Sequence, residues 1–246
     1  MINILVLAAG ASTADEDTKD WYPVCISEMD GVPLIERQIQ LCKLLKPFNL
    51  IVALREQEIG RFHLDNIVKL LEPASIIIPV ASETKGAACT ALLSCEYIDN
   101  DDELLILNGN ELLNENYLNI IQQFKKSNCN AGVVTFSSIH PRYSYVRLND
   151  LGFVTEAVEK NPISKHAVVG FYWFKNGKDF VQSAKEMIRK DASVYDVFYI
   201  TPSLNEMVLK GFKIGAFPVG LDRYFPVKTE KQLLKFESSV EQKGKQ

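Results

Sequence analysis

Small residues directly after the first apolar run are the first candidates for chemistry. They form segment 7–12, LAAGAS, which follows the run that starts at Ile2. Small side chains at the exit of a buried strand let backbone N–H groups approach a base or a phosphate, and open α/β sheets bind ligands at the carboxyl ends of their strands. Tight packing would explain the same composition, so this segment alone leaves a ligand-binding loop and a structural turn open.

A second candidate segment is ETKGAA, residues 83–88, which follows a later apolar run and opens a stretch of helical character. Gly86 permits the close approach of a ligand, and Thr84 is suited to hold polar ligand atoms. Thr84 is equally suited to be the N-cap of the helix. The segment therefore predicts either a ligand contact or a well-capped helix.

Two further segments carry groups suited to a metal or a phosphorylated ligand. Asn108, Gly109 and Asn110 end the fourth predicted strand, where metal-binding acids often lie, although Asn-Gly is also a common turn. Glu159 and Lys160 end a strand of the second half, where the carboxylate could bind hydroxyl groups and the ammonium a phosphate. A solvated loop is the alternative for this pair. Each segment is weak evidence alone, but their recurrence at successive strand ends indicates one site.

The alternation of apolar runs with helix-period segments predicts the elements that would position these residues. Up to residue 137 the pattern predicts parallel βαβ units, and the nearly all-apolar run 2–8 is typical of a central strand covered on both faces. After residue 138, segments 143–148 and 153–158 predict an antiparallel hairpin. The predicted fold class is therefore α/β, with a mixed central sheet and helices on both faces.

The predicted elements run through the chain without a repeat, a low-complexity tract or a linker. We therefore predict a single domain over 1–238, with a nucleotide-binding half at 1–137, an acceptor-binding half at 138–238 and a tail at 239–246. Besides the hairpin, the predicted strands are 2–8, 50–54, 75–80, 103–107, 131–137, 168–174 and 212–219, and the predicted helices are 33–45, 59–71, 86–95, 115–126, 178–189, 203–209 and 229–238.

Composition excludes several classes of protein. The formal net charge is -4 and there is no long basic run, which argues against nucleic-acid binding. No apolar stretch approaches the roughly 20 residues needed to cross a bilayer, and the apolar N-terminal run lacks the basic start of a signal peptide. The five cysteines show no CxxC spacing, which argues against a disulfide scaffold or structural zinc and favours the cytoplasm.

Six motifs occur in a fixed order along the chain. They are LAAG after the first strand, DGVPLIERQI in the first helix, ETKGAA, LILNGN, EK shortly before Pro162, and VGFYWFKNG. In this order they resemble the sugar-phosphate nucleotidylyltransferases, a family with a GT-A-like, Rossmann-related fold, over about residues 2–235. Such enzymes join a nucleoside triphosphate to a small phosphorylated acceptor and release pyrophosphate.

The resemblance implies a role for each site residue. Catalysis would consist of positioning and charge neutralisation while the acceptor's phosphate oxygen attacks the α-phosphorus in line. Asn110 would occupy the position of the family's metal-binding aspartate, with Mg²⁺ as the cofactor. The candidate set is Leu7, Ala8, Ala9, Gly10, Ala11, Ser12, Glu83, Thr84, Gly86, Ala87 and Asn108 for the nucleotide; Glu159, Lys160 and Gly170 for the acceptor; Asn110 for the metal; and Lys160 for catalysis. Asp222 for the metal and Lys19 for catalysis join it as substitutes for family residues that this chain lacks.

Several family residues are replaced in this chain. The loop that normally reads LAAG-x-G-x-R has Ser12 for the second glycine and Ala14 for the arginine, and the Pro-Lys pair appears as Pro23-Val24. The metal aspartate is Asn110, which lacks a charge that Mg²⁺ prefers. Two substitutes are available: Lys19 could reach the phosphates, and Asp222 or Glu111 could bind the metal.

The sequence thus predicts a nucleotidylyltransferase of capsule, cell-wall or small-molecule activation. By analogy with short members of the family, CTP is favoured over UTP or dTTP, and the acceptor is a sugar 1-phosphate or a smaller phosphorylated alcohol or amino compound. Two alternatives stay open. One is a catalytically silent protein that binds a nucleotide or a sugar nucleotide. The other is a glycosyltransferase on the same fold, which would carry an Asp-x-Asp motif at a strand end, whereas the acidic segment 15–17 is placed in a loop.

Overall fold

The computed structural model describes residues 1–10 and 22–227. The strands are β1 (Ile2–Leu7), β2 (Glu28–Met29), β3 (Val32–Pro33), β4 (Phe48–Arg55), β5 (Ile76–Val80), β6 (Glu103–Asn108), β7 (Glu111–Leu113), β8 (Ala131–Ser137), β9 (Ser144–Leu148), β10 (Val154–Glu159), β11 (His166–Phe174), β12 (Ile214–Pro218) and β13 (Tyr224–Pro226). The α-helices are α1 (Leu34–Cys42), α2 (Glu56–Phe62), α3 (Leu64–Leu71), α4 (Ala87–Leu92), α5 (Cys95–Ile98), α6 (Tyr117–Lys126), α7 (Gly177–Arg189) and α8 (Leu204–Leu209).

Nine of these strands form one mixed sheet. Its main path is β10-β9-β11-β6-β1-β4-β5, and β8 pairs with both β11 and β12. Strands β6, β1, β4 and β5 are parallel, and β11 is antiparallel to β6, β8 and β9. The parallel part lies at one end of the path, and its carboxyl edge is the place where ligands bind in such sheets.

The core lies on both faces of this sheet because side chains along a central strand alternate between the faces. In β1, Ile4 and Val6 pack in one cluster, with residues of α1, α3 and α6. Leu5 and Leu7 pack in the other cluster, with residues of α4, α5, α7 and α8. The predicted α/β class with helices on both faces is confirmed.

The short strands β2, β3, β7 and β13 were not predicted, and the predicted helix 86–95 is α4 followed by a separate α5. Two further departures are local changes in backbone conformation. The predicted helix 59–71 consists of two helices, α2 and α3, since His63 between them adopts a left-handed conformation with φ of 53°. Thr84 is not the N-cap of α4; that position belongs to Gly86, which has φ of 116°. The predicted helix 229–238 lies outside the described residues. Among residues 1–10 and 22–227, no helix is long and apolar enough to cross a membrane.

Candidate functional site

The carboxyl ends of β1, β4 and β6 meet at one cleft. Leu7 is paired with Ala53 of β4 and with Asn108 of β6, so the loops after these strands emerge side by side. The Ala8 amide donates to the Ala53 carbonyl at 3.0 Å, which continues the ladder into the loop. The cleft has a volume of about 530 Å³, and its described walls come from both halves of the chain. We call residues 8–10 the first loop.

Arg55, the last residue of β4, braces the first loop. Its Nε donates to the carbonyls of Ala9 at 3.2 Å and Gly10 at 3.0 Å. One terminal nitrogen lies 3.6 Å from the exposed Glu83 carboxylate. The guanidinium therefore joins the first loop to the segment after β5. Arg55 was not among the predicted site residues, although its place directly after the apolar run 50–54 is a signal for a side chain at the site.

The wall after β5 is built around Gly86 and two threonines. A Cβ atom on Gly86 would overlap the Phe198 backbone, and the left-handed φ also favours glycine there. Thr84 Oγ1 donates to the Gly86 carbonyl at 3.1 Å and lies 2.6 Å from Thr90 Oγ1. The hydroxyl of Thr84 is thus fixed at the cleft by contacts within this wall, although it does not cap the helix.

A buried carboxylate, Glu111, lies at the centre of the wall after β6. It is 6% exposed and accepts hydrogen bonds from Asn108 Nδ2 at 2.5 Å and from the Tyr224 hydroxyl. Gln38 Nε2 donates to the Glu111 carbonyl at 2.8 Å and so fixes the backbone. Burial, together with the charge of Glu111, holds the pKa of Tyr224 well above its usual value, so its hydroxyl remains a donor.

Glu159 is the buried carboxylate of the second half. It ends β10, is 7% exposed and accepts a hydrogen bond from the Ser144 hydroxyl. The neighbouring Tyr172 hydroxyl lies 2.8 Å from Thr201 Oγ1, and burial raises the pKa of Tyr172 above its usual range. Glu159 and Tyr172 line the same cleft as the first loop. The structure therefore brings the two halves of the predicted site together.

Lys160, the residue directly after β10, contacts two tyrosines. Its Nζ donates to the Tyr199 hydroxyl at 2.6 Å and lies 4.8 Å from the centre of the Tyr199 ring and 5.6 Å from that of Tyr195. The hydrogen bond to Tyr199 is the main cause that raises the pKa of Lys160, so the side chain is a cation at neutral pH. Tyr199 lines the cleft, whereas Lys160 is not among the residues that do.

Glu58, in the first turn of α2, is a titratable group that the sequence analysis did not select. It lines the cleft beside Val24 and Cys25 although it is only 1% exposed. Its Oε2 atom has no hydrogen-bond partner in the described part of the chain. Burial raises the pKa of Glu58 to about 7, and the nearby charge of Arg55 opposes that rise only in part.

The described walls of the cleft carry more negative than positive side chains. Four carboxyl groups line it, those of Glu58, Glu83, Glu111 and Glu159, against the guanidinium groups of Arg55 and Arg142. A polyphosphate entering this cleft would be repelled unless a cation or a proton came with it.

Most of the predicted site residues line the cleft. Those that line the cleft are Leu7, Ala8, Ala9, Gly10, Glu83, Thr84, Gly86, Ala87, Asn108, Asn110, Glu159 and Gly170. Lys160 is not a lining residue but donates a hydrogen bond to Tyr199, which is one. Asp222 is exposed, with its Oδ2 3.5 Å from Arg223 Nε, and does not line the cleft. Ala11, Ser12 and Lys19 lie outside the described residues. Arg55, Glu58, Arg142 and Tyr199 line the cleft without having been predicted.

The donor set for a metal is small. Within residues 1–10 and 22–227, no group of three or more His, Cys, Asp or Glu side chains is arranged to hold a metal ion. Asn110 and Glu111 are adjacent oxygen donors at the cleft. Mg²⁺ is commonly bound by one or two carboxylates together with substrate phosphates and water, so these two residues fit Mg²⁺ only in company with a phosphorylated ligand.

Comparison with known families assigns the chain. The sequence pattern described as "Nucleotidyl transferase" matches residues 5–209. This chain belongs to the nucleotidyl transferase family. The match includes the first loop, the segment after β5, the wall after β6 and the Glu159–Lys160 pair. The resemblance to sugar-phosphate nucleotidylyltransferases with a GT-A-like fold is thereby confirmed.

Curated relatives are similar to this chain over most of its length. It is 27% identical over 230 residues to the bifunctional protein GlmU of Thermodesulfovibrio yellowstonii, covering 89% of this chain and 47% of that protein. The chain thus spans about half the length of the curated relatives it matches.

Two solved structures show the same fold. One is a nucleoside-diphosphate-sugar pyrophosphorylase from Vibrio cholerae RC9, with a TM-score of 0.80 at 20% identity, covering 97% of this chain and 100% of that chain. The other is a UDP-glucose pyrophosphorylase complexed with UDP-glucose, with a TM-score of 0.75 at 16% identity, covering 99% and 100%.

Proposed function

We propose that this chain is a nucleotidylyltransferase that joins a nucleoside triphosphate to a small phosphorylated acceptor and releases pyrophosphate. The observation that carries the proposal is the convergence of the small-residue first loop and the buried Glu159 carboxylate on one cleft. A reaction between two ligands needs both to be held in one place, and positioning of this kind supplies much of the rate.

The nucleotide occupies the side formed by the first loop and the segment after β5. The small side chains of Ala8, Ala9 and Gly10 leave their backbone open to base or phosphate atoms. Gly86 and Thr84 form the facing wall. CTP is the nucleotide that we expect to react best, with UTP and dTTP as the competitors to be compared.

The acceptor occupies the side formed by β10 and β11. Glu159 accepts hydrogen bonds from acceptor hydroxyl groups, and Gly170, which has no side chain and so lets the Glu111 carboxylate pack against it, lines the same side. Lys160 reaches the acceptor's phosphate from behind Tyr199, its hydrogen-bond partner in the structure. Sugar 1-phosphates are the first acceptors to test, because the matched solved structures include a UDP-glucose pyrophosphorylase.

The chemistry is a single displacement at phosphorus. An acceptor phosphate oxygen forms a bond to the α-phosphorus while the bond from the α-phosphorus to the α–β bridging oxygen breaks, and pyrophosphate leaves with that oxygen. Mg²⁺, held by Asn110 and Glu111 together with the phosphates, supplies charge neutralisation when bound. The protein's own part is to hold both ligands in line and to offer Lys160 and Arg55 as positive charges.

A pyrophosphate-release screen tests the proposal. The purified chain is incubated with Mg²⁺, each of CTP, UTP, dTTP, ATP and GTP, and a panel of sugar 1-phosphates and phosphorylated alcohols or amino compounds. We expect release that requires both substrates and that Glu159→Gln reduces by a hundredfold or more. The matched control is Glu156→Gln, which removes a carboxylate from the same strand outside the cleft. Absence of release with every pair would overturn the proposal.

A catalytically silent binding protein is the second candidate, and one observation favours it. The described walls of the cleft carry four carboxyl groups against two guanidinium groups, and the family's arginine and lysine are replaced by Ala14 and Val24. The same screen decides between the two candidates when calorimetry is added. Nucleotide binding without turnover would favour the silent protein.

A further inference from the structure

Glu58 is a buried acid that the proposed chemistry leaves without a role. It lines the cleft, yet it is 1% exposed and its Oε2 makes no hydrogen bond among the described residues. Buried polar atoms nearly always have a partner, because leaving one unsatisfied costs free energy. An unpartnered carboxyl oxygen at a ligand cleft therefore indicates a partner on the ligand.

Within residues 1–10 and 22–227, the groups that act on Glu58 do not include a counter-ion in contact with it. Arg55 precedes α2 and influences Glu58 electrostatically, but its guanidinium is bound to the first-loop carbonyls and lies near Glu83. Across from α2, Cys25 presents a thiol whose pKa is raised to about 12 by burial and, to a lesser extent, by the charge of Glu58. Cys25 is thus neutral at physiological pH. Val24 beside it offers no polar side chain.

The protonation state of Glu58 decides what it can bind. An ionised carboxylate only accepts hydrogen bonds and would repel an anionic ligand, whereas a neutral carboxylic acid donates one hydrogen bond through its O–H. A phosphate oxygen is an acceptor and carries negative charge. Only the neutral form of Glu58 suits a phosphate. A ligand anion beside it favours that form further.

We propose that Glu58 binds a phosphate oxygen of the nucleotide as a neutral carboxylic acid, so that nucleotide binding takes up a proton from solution above neutral pH. The proposal rests on the proposed function in one respect: it requires that the first loop, which lines the same cleft as Glu58, binds a nucleotide. The proton that is taken up stays on the Glu58 carboxyl and forms the hydrogen bond to the phosphate oxygen. The covalent bonds of the nucleotide do not change. In the protein without nucleotide the pKa of Glu58 is about 7, so this carboxyl gains or loses its proton near physiological pH.

Calorimetric titration with CTP tests this linkage. Wild type, Glu58→Gln and Glu56→Gln are titrated at pH 6 and pH 8 in two buffers of different ionisation enthalpy. Glu58→Gln keeps a neutral donor at the same place, and Glu56→Gln removes an exposed charge two residues away on the same helix. Comparison between variants cancels the titration of the nucleotide itself.

At pH 8, we expect wild type and Glu56→Gln to take up close to one proton more per CTP bound than Glu58→Gln does. Relative to Glu58→Gln, wild-type affinity should fall about tenfold from pH 6 to pH 8, because a group with a pKa near 7 is about one-tenth protonated at pH 8. Cytidine, which lacks phosphates, should bind without this pH dependence. If Glu58→Gln does not fold, Glu58→Ala, which also lacks the titrating carboxyl, replaces it in the comparison of proton uptake.

Three results would overturn the proposal while nucleotide binding stands. The first is equal proton uptake by wild type and Glu58→Gln. The second is a loss of CTP affinity in Glu58→Gln at both pH values, which would mean that Glu58 acts as an ionised carboxylate. The third is the same pH dependence with cytidine, which would place Glu58 on the base. Failure of wild type to bind any nucleotide at either pH would instead refute the proposed function.

Discussion

The Glu111 carboxylate packs directly against Gly170, so closely that position 170 accepts no side chain. A Cβ atom there would overlap both Glu111 Oε1 and Asn108 Nδ2. The two residues lie on different strands, β7 and β11, and are 59 positions apart in the sequence. Glycine at 170 thus allows a buried acid to lie at the junction of the two walls of the cleft.

Gly170→Ala should therefore disturb the cleft and destabilise the fold. Overpacking of this kind typically costs about 1–3 kcal/mol, and the displaced carboxylate would lose hydrogen bonds to Asn108 and Tyr224. Thermal unfolding and pyrophosphate release measure the two effects. Gly60→Ala is the control, because a Cβ atom on Gly60 of α2 meets nothing within 4 Å and alanine favours a helix. A Gly170→Ala protein as stable and active as wild type would contradict the packing described here.

Arg55→Ala should weaken nucleotide binding more than acceptor binding. The first loop would lose the two hydrogen bonds that fix its carbonyls, and bonds to charged groups contribute about 1.5–3 kcal/mol each when buried and less at this partly exposed position. We expect a loss of about tenfold in nucleotide affinity by calorimetry. Arg55→Lys should restore little, since an ammonium lacks the planar fork. Arg61→Ala, which removes an arginine of the following helix α2 outside the cleft lining, should bind as wild type does.

Lys160→Ala should weaken the phosphorylated acceptor far more than the nucleotide. A lost ammonium–phosphate contact corresponds to roughly a tenfold to hundredfold rise in KM for the acceptor. Tyr199→Phe removes the hydrogen bond to Nζ and keeps the ring, so it should have a smaller effect. Lys165→Ala, which removes an exposed lysine nearby, is the control. If Lys160→Ala weakened the binding of both ligands equally, or of neither, Lys160 would have no specific role in binding the acceptor.

Asn110→Asp should raise the affinity for Mg²⁺ in the presence of nucleotide and increase turnover. A carboxylate adds a full negative charge next to Glu111, where the asparagine offers only an amide oxygen, and Mg²⁺ prefers charged oxygen ligands. The opposing effect is repulsion within an already acidic cleft, which would appear as lower stability. Mg²⁺ titrations of both proteins with nucleotide measure the change. Identical metal affinity would remove Asn110 from the site.

Glu58 should make the stability of the protein depend on pH. Its folded pKa of about 7 lies above the ordinary value of 4.5, so the folded state binds the extra proton and stability falls as pH rises from about 4.5 through 7. Glu58→Gln should thus be more stable than wild type at pH 8, by on the order of 1–3 kcal/mol, and similar at pH 4.5. Chemical denaturation across this range, with Glu56→Gln as control, measures it. Parallel curves for wild type and Glu58→Gln would refute the raised pKa.

The sequence by itself determined the fold class and the order of the site segments. Hydrophobic periodicity is a local property, so β1, β8 and α7 could be predicted nearly to the residue, and the segments after β1, β5 and β6 could be recognised as strand ends. The break at His63 and the cap at Gly86 could not, because they depend on backbone conformations that the apolar pattern does not encode.

Tertiary structure alone decided which side chains meet in the cleft. Glu58 and Tyr199 belong to no sequence motif, and Arg55 is marked only by its place after the apolar run 50–54. That these side chains line one cleft follows from the strand register and from the loops that pack beside them. The burial of Glu58 and Glu111 is likewise a long-range property, since residues packed around each carboxyl, such as Cys25 near Glu58 and Tyr224 at Glu111, come from distant parts of the chain. Sequence spacing predicts which residues follow the end of a strand. The packing of the sheet determines where their charged side chains lie and which ligand groups those charges attract or repel.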